Sequence, residues 1–288
     1  MDLKDNDNEI KLQTPDIFAE AESQNEIFNS LSDKEYKLVT PASIRKLNRQ
    51  WSKVIYHRER SFPWDERGWI EFLEKTPQCF DSIEIINDIL MALEEWQQEK
   101  DVLENISLPL AQRAWQIYES LPEQGGMPTR FSENESLYLA LSSIILILKQ
   151  LGQNDGLISY YERLIIINPT DILGLRGGLA HEYLAQKEYD KFFNLLRIYS
   201  RDVSLDFSMA KVLALWATGD IDAAKKQWSK VKKYNSHIKK YLLKNDIAMP
   251  KITYEITVGG EDEAWLYRNV ARDIWLEHKG ALDWLKQN

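Results

Sequence analysis

Residues 213–224 read LALWATGDIDAA: an apolar helix-forming run, a tight turn at Gly219-Asp220, and the start of a second run. The same unit occurs three times between Leu137 and Tyr234. The first copy turns at GQND (152–155) and the second at QKE (186–188). On both sides of each turn, apolar residues recur at the spacing typical of amphipathic helices. This stretch therefore predicts antiparallel helix pairs, and we expect an all-α fold.

The three copies align in one frame. Asn154, Tyr189 and Ile221 fall at equivalent positions, separated by steps of 35 and 32 residues. The frame also aligns the positions at which neighbouring helices would interlock, namely Leu157, Phe192 and Ala224. A helix-turn-helix period near 34 residues is typical of tetratricopeptide (TPR) arrays. The stretch resembles TPR repeats over about a third of the chain, and this implies a curved solenoid whose first helices line a concave surface.

The second copy departs from the TPR pattern at two positions. Phe192 stands where the motif has a small residue, and Lys187 stands where it has the turn glycine. We therefore expect looser or differently angled packing in this copy. An antiparallel helix bundle unrelated to TPR proteins stays open as an alternative.

Changes in composition and helix-breaking residues divide the chain into five predicted regions. They are a flexible acidic tail at 1–35 with a short helix at Asp16–Asn29, an N-terminal helical region at 36–121, a Pro- and Gly-containing linker at 122–132, the TPR-like repeats at 133–234 and a C-terminal cap at 235–288. Within the cap, Lys251–Val258 alternates apolar and polar residues and is the clearest strand signal. Without a second strand to pair with, it would be either an extended segment laid over helices or an edge strand that awaits a partner strand. Asp262–His278 is predicted as a capping helix with Leu266, Val270, Ile274 and Trp275 facing inward, and Asp262/Glu263 are predicted as solvated.

Charge is distributed unevenly in an acidic chain of net charge −9. Residues 1–35 hold ten acids against three lysines, whereas residues 225–251 hold nine lysines against one acid. The overall sign argues against nucleic acid or an anionic membrane surface as a general partner. No apolar run approaches the roughly 18–20 residues of a membrane span. The lysine-rich stretch is either a solvated face or a basic patch for an acidic protein surface or a phosphate-bearing ligand, and the sequence leaves these open.

Signals for catalysis, metal binding and cofactor binding are missing from the sequence. His181-Glu182 resembles the start of a zinc motif, but Ala185 stands where the second histidine is needed. The single Cys79 cannot form an internal disulfide, which fits a reducing, cytoplasmic location. We therefore predict no catalytic residue, no metal and no cofactor.

The C-terminal region resembles the extension of a group of bacterial TPR-like proteins. The resemblance rests on YNSHIKKYLL at 234–243, GGEDEA at 259–264 and GALDWL at 280–285, although Ser236 replaces the proline of that pattern. In composition, repeat type and length, the chain also resembles secreted helical-repeat regulators of intracellular bacterial pathogens, called metaeffectors. That resemblance implies secretion by a bacterium into a host cell, and an effector enzyme, such as a toxic translation inhibitor, as the partner.

The leading hypothesis is a non-enzymatic scaffold that binds and regulates a protein partner. Repeat phase and charge together select the predicted partner-binding residues, which are Tyr138, Ser142, Arg176, His181, Lys211, Lys225, Lys226 and Lys230. Two alternatives stay open. The first is an enzyme or nucleic-acid-processing protein whose site gathers dispersed His, Arg and acidic residues. The second is a secretion chaperone or adaptor, which predicts promiscuous peptide binding.

Overall fold

The computed structural model describes residues 36–56, 66–95, 99–121, 126–127, 131–251 and 255–288. These residues form helices and connecting segments without any β-strand. The predicted all-α class is therefore confirmed for the described part of the chain. The predicted tail at 1–35 and its helix at Asp16–Asn29 lie outside the described residues.

The chain divides into two compact units between Arg176 and Gly177. The division falls inside the predicted repeat region rather than at the predicted linker 122–132. The helices that begin before the division are α1 (Ala42–Tyr56), α2 (Glu66–Lys75), α3 (Ile83–Glu95), α4 (Leu108–Glu119), α5 (Ser132–Leu151), α6 (Leu157–Ile167) and α7 (Leu175–Ala185). Those after it are α8 (Tyr189–Ile198), α9 (Leu205–Ala217), α10 (Ile221–Tyr234), α11 (Ile238–Leu243), α12 (Glu261–Glu277) and α13 (Ala281–Gln287). A 3-10 turn at Pro77–Asp81 precedes α3, and a π turn at Leu103–Ser107 leads into α4.

The N-terminal unit is built around α5, which packs against α3, α4 and α6. Trp51 and Trp115 are fully buried in its core. The Trp51 indole N–H donates to Asp88 Oδ2 at 2.8 Å, and that of Trp115 donates to the Leu141 carbonyl at 3.1 Å. A buried indole needs such an acceptor, because its polar N–H would otherwise lose its hydrogen bond to water. These two contacts fix the orientation of the largest core side chains.

The buried side chain of Asn134 bonds the segment that precedes α1 to the N-terminal unit. Asn134 donates from Nδ2 to the Tyr36 carbonyl at 2.9 Å and accepts at Oδ1 from the Leu38 N–H at 2.8 Å. Within the predicted linker, the described residues Gly126 and Met127 are buried, and the Met127 N–H donates to the Ile167 carbonyl at 2.7 Å. This part of the linker is therefore integrated into the unit.

The C-terminal unit is built around α9, which packs against α10, α12 and α13. Helix α9 carries apolar residues on most of its faces, and its Phe207, Met209 and Leu213 are buried. A helix that is apolar all round is stable only when neighbours cover it. The sequence of α9 thus explains its central position in this unit.

The turns that end α5, α7 and α9 share one backbone conformation. Gly152, Lys187 and Gly219 have φ values of +68°, +60° and +88°. They occupy one position in the repeat frame predicted from the sequence. Within the pairs, α5 packs closely on α6 and α9 on α10, whereas few Cα atoms of α7 and α8 approach one another within 8 Å.

The strand signal at Lys251–Val258 gives no strand at Lys251 or at residues 255–258, and residues 252–254 lie outside the described part. Two other predictions for the C-terminal cap are wrong. In α12, Val270 is 58% exposed, while the buried face consists of Ala264, Tyr267, Ala271 and Trp275. Helix α12 carries two overlapping apolar stripes. The stripe that contains Ala264 and Ala271 is the buried one, because alanine lets a neighbouring helix approach more closely. Asp262 is buried and not solvated, because its carboxylate accepts from the backbone N–H groups of Thr257 and Glu263.

Candidate functional site

An open groove of about 650 Å³ lies on the C-terminal unit between α8 and α10. The lining residues recur at helical spacing on each helix, and α9 contributes the floor. From α8 they are Phe193, Leu196 and Arg197; from α9, Phe207, Lys211 and Leu215; and from α10, Lys230, Val231 and Tyr234. We call this feature the basic groove.

The inner surface of the basic groove is apolar. Phe207 and Val231 are buried, while Phe193, Leu196 and Leu215 are half-buried and present apolar surface to the groove. The groove opens here because α9 packs closely on α10 but only lightly on α8.

Phe192 precedes Phe193 on α8. It is fully buried, and its ring lies 5.8 Å from the ring of Phe193. The departure from the TPR pattern noted in the sequence thus lies on a helix that lines the groove.

Basic side chains line the rim of the groove. Lys211 from α9 and Lys230 from α10 contribute ammonium groups that have no hydrogen-bond or ion-pair partner among the described residues. Arg197 from α8 is exposed and bonds only to Asn194 of its own helix. Asp202 adds one carboxylate, and its Oδ1 accepts from the Ser204 N–H at 2.7 Å. The positive groups therefore outnumber the negative ones, and the two lysines are available to a ligand.

Seven of the nine lysines in residues 225–251 fall into two groups. Lys232 and Lys239 donate to the carbonyl oxygens of Asn288 and Lys286, at 2.7 and 3.0 Å. Lys240 forms an ion pair with Glu261 at 2.9 Å. Lys232 thus connects α10 to the residue after α13, Lys239 connects α11 to α13, and Lys240 connects α11 to α12.

The second group forms what we call the lysine face of α10. Its members are exposed and their ammonium groups have no partner among the described residues: Lys225, Lys226, Lys230 and Lys233. Lys230 belongs both to this face and to the groove. The two features therefore form one continuous surface.

Tyr234 forms part of one end of the groove and is held in place by a carboxylate. Its hydroxyl donates to Glu263 Oε1 at 3.0 Å, and Glu263 Oε2 accepts from Asn235 Nδ2 at 3.0 Å. Burial and the adjacent Glu263 carboxylate raise the pKa of Tyr234 to about 12. The hydroxyl is therefore a neutral donor at physiological pH, and the ring is 37% exposed.

The remaining predicted partner-binding residues do not form an open surface. Tyr138 is 1% exposed and His181 is 6% exposed, so the prediction that both face outward is wrong. The His181 ring contacts the Tyr267 ring of α12 edge-on at 5.8 Å, and its Nε2 lies 3.3 Å from Asp206 Oδ1 of α9. Arg176 is engaged with Asp171, at 2.9 Å from Nη1 to Oδ2. Ser142 is half-buried and donates to the Leu139 carbonyl of its own helix at 2.8 Å.

Two other pockets contain polar residues that are already paired. In the N-terminal unit, a pocket of about 730 Å³ holds Arg113, which forms an ion pair with Asp81 at 2.6 Å. In the C-terminal unit, a pocket of about 380 Å³ includes His278. His278 Nδ1 lies 2.8 Å from the Ile274 carbonyl and Nε2 lies 2.9 Å from the Tyr189 hydroxyl. The carbonyl can only accept, so Nδ1 donates to it, and in this tautomer of the neutral ring Nε2 accepts from the Tyr189 hydroxyl.

Among the described residues, no group of three or more His, Cys, Asp or Glu side chains could hold a metal ion. Within the same part of the chain, no helix is long and apolar enough to cross a bilayer. Comparison with known proteins finds no matching family model, no matching curated protein and no matching solved structure. The resemblance to TPR proteins and metaeffectors therefore stays a prediction.

Proposed function

We propose that this chain is a non-enzymatic interaction protein that binds a protein partner through the basic groove and the lysine face of α10. One observation carries the proposal: Lys211 and Lys230, without partners among the described residues, flank a groove with an apolar floor. Apolar area supplies binding free energy, and charges at the rim raise the association rate and select the partner.

We further propose that the helix pairs α5/α6, α7/α8 and α9/α10 are TPR-like repeats. The shared left-handed conformation at Gly152, Lys187 and Gly219 supports the repeat frame. In this interpretation the partner lies between two second helices, α8 and α10, and also contacts the first helix α9. On the first helix α7, His181 is buried and its ring contacts Tyr267 of α12 edge-on.

The resemblance to secreted regulators adds a proposal about the partner. A metaeffector-like role implies a bacterial effector enzyme as the partner and a loss of that enzyme's activity on binding. Activity of the isolated partner with and without this chain tests this second step separately from binding itself.

Quantitative affinity purification tests the proposed interaction. The wild-type chain is compared with a Lys225→Glu, Lys226→Glu, Lys230→Glu variant. The matched control reverses three exposed basic residues on α1: Lys46→Glu, Arg49→Glu and Lys53→Glu. Both variants change the net charge by the same amount, so they differ only in the surface that is altered.

We expect one protein to be retained in stoichiometric amounts by the wild type and by the α1 control, and to be lost from the α10 variant. Circular dichroism checks that all three chains are folded. A partner retained equally by all three chains would contradict the proposed surface. The absence of any stoichiometric partner would contradict the interaction role itself.

A further inference from the structure

The length of the basic groove sets the size of a ligand. Its lining residues run from Phe207 to Leu215 on α9 and from Gln227 to Tyr234 on α10. At a rise of 1.5 Å per residue, these stripes are about 10–12 Å long. That length matches about two turns of an α-helix, and it is too short for a long helix to be buried along its whole length.

The walls of the groove favour a helix over an extended segment. The parts of the walls that α8, α9 and α10 form offer no strand edge, because backbone groups inside a helix bond to one another, and the connecting segment 199–203 completes the lining. An extended segment would lie there with unpaired backbone groups. A helix satisfies its own backbone and presents only side chains, as in helix-in-groove recognition.

The groove surface also defines the side chains of that helix. Apolar surface from Phe193, Leu196 and Leu215 requires apolar anchors at i, i+3 or i+4, and i+7. The unpartnered ammonium groups of Lys211 and Lys230 require acidic residues beside that stripe. The chain as a whole has a net charge of −9, so the basic groove is a positively charged site on an acidic protein. An acidic ligand is therefore attracted to the groove rather than to the rest of the surface.

We propose that the basic groove binds an acidic amphipathic helix of about two turns that belongs to a partner protein. The proposal rests on the proposed function and specifies the chemistry of the partner. It combines three features of one site: its length, its mainly helical walls, and apolar surface beside the basic groups of Lys211 and Lys230.

Selection from a peptide library tests the proposal without assuming a ligand sequence. A display library of 14-residue peptides is selected on the wild-type chain and counter-selected on a Lys211→Glu, Lys230→Glu variant. We expect the enriched peptides to be acidic, free of internal proline, and apolar at i, i+3 or i+4, and i+7. Enrichment of basic or proline-rich sequences, or no enrichment over the counter-selection, would overturn the proposal.

Fluorescence anisotropy then measures the affinity of the best selected peptide. We expect at least a tenfold loss with Lys211→Glu, Lys230→Glu, a smaller loss with Lys230→Ala alone, and no change with Lys46→Glu, Lys53→Glu. Lys230 is exposed, so its single substitution keeps the test meaningful if Lys211→Glu disturbs folding. Equal binding of polyglutamate or of a single-stranded oligonucleotide would show charge attraction alone and would contradict helix recognition.

Two further outcomes distinguish a failure of the partner-helix proposal from a failure of the proposed interaction role. Acidic and apolar residues also occur at 14–30 of the chain itself. If a peptide of residues 14–30 binds the groove and selected peptides bind only after residues 1–35 are deleted, the chain's own segment is the ligand and the partner-helix proposal fails. If a protein partner depends on the lysine face but no helical peptide is selected, the interaction role stands and the helix proposal fails.

Discussion

Asn235 joins three helices through one buried side chain. Its Oδ1 accepts from the backbone N–H groups of His237 and Ile238, at 3.0 and 3.1 Å. Its Nδ2 donates to the Gly260 carbonyl and to Glu263 Oε2, each at 3.0 Å. An asparagine amide offers both acceptor and donor atoms at this size. The residue therefore caps α11 and connects the end of α10 to the start of α12.

Replacing Asn235 with alanine is expected to destabilise the C-terminal unit. The substitution leaves buried backbone donors and the Gly260 carbonyl without their partner, at a cost of about 3 kcal/mol in unfolding free energy. Urea denaturation measures the loss. Asn269→Ala, on the exposed face of α12, is the matched control and should change the unfolding free energy by less than about 0.5 kcal/mol. Similar effects of the two substitutions would contradict the role of Asn235.

The hydrogen bonds to the Asp262 carboxylate predict that the stability of the protein depends on pH. Hydrogen bonds from the Thr257 and Glu263 N–H groups lower the pKa of Asp262 below its usual value. An acid with a lowered folded-state pKa stabilises the fold above its unfolded pKa, and this contribution is lost as the pH falls through the folded pKa.

The melting temperature of Asp262→Asn should therefore be lower than that of the wild type at pH 7. The difference should begin to shrink as the pH falls below about 4, where Asp262 of the unfolded chain takes up a proton, and should disappear only below the lowered folded-state pKa. Thermal melts between pH 3 and 7 measure both effects. A difference that is independent of pH would contradict the assigned charge.

At the scale of single elements, the turn after α7 is the clearest irregularity. Lys187 adopts a left-handed φ of +60° at the position where the other two turns have Gly152 and Gly219. A side chain in this region costs roughly 1 kcal/mol, which glycine avoids. The sequence thus keeps a strained turn in the helix pair that borders the basic groove.

Lys187→Gly is expected to stabilise the protein by about 0.5 kcal/mol, since the relief of strain is partly offset by the greater unfolded-state entropy of glycine. Gly219→Ala, at the equivalent turn with φ +88°, should instead destabilise the protein by about 1 kcal/mol or more. Chemical denaturation of both variants checks the pair of opposite signs. Stabilisation by both substitutions would contradict the shared turn conformation.

Local patterns predicted the helices but not which surfaces remain open. Helical periodicity and turn residues identified the helices and the equivalence of the three turns, because both depend on neighbouring residues. The burial of His181 depends on Tyr267, which is 86 residues away in the chain. Tertiary contacts over such distances leave no signal in the repeat phase, so the predicted concave site was wrong at Tyr138 and His181.

Charge was a better guide to the candidate site than repeat phase. Lys225, Lys226 and Lys230 were selected because the stretch is lysine-rich, and all three are exposed. Lysine avoids burial, so its exposure follows from its chemistry in almost any fold. The groove itself was not predicted, because it arises from the loose packing of α8 on α9. One residue selected by repeat phase, Lys211, does line the groove.

At the scale of the whole molecule, the charge distribution matters for how fast a partner binds. The chain is acidic overall, while residues 225–251 carry nine lysines against one acid. An acidic partner would be repelled from most of the surface and attracted to this part. Electrostatic steering of this kind raises association rates and weakens as salt screens the charges.

Raising the salt concentration from 0.05 to 0.5 M should therefore lower the association rate constant by roughly tenfold while changing the dissociation rate constant much less. Stopped-flow or surface plasmon resonance with the captured partner measures both constants. The Lys225→Glu, Lys226→Glu, Lys230→Glu variant should lose most of the salt dependence. An association rate that is insensitive to salt in the wild type would argue against steering by this surface.

The most direct test of the interaction role is the dissociation constant of the captured partner, measured by isothermal titration calorimetry for three chains. The chains are the wild type, Lys211→Glu with Lys230→Glu, and the α1 control Lys46→Glu with Lys53→Glu. We predict that the groove variant binds at least tenfold more weakly than the wild type, and that the α1 control binds within twofold of it. Equal affinities for all three chains, or equal losses in both variants, would contradict the account.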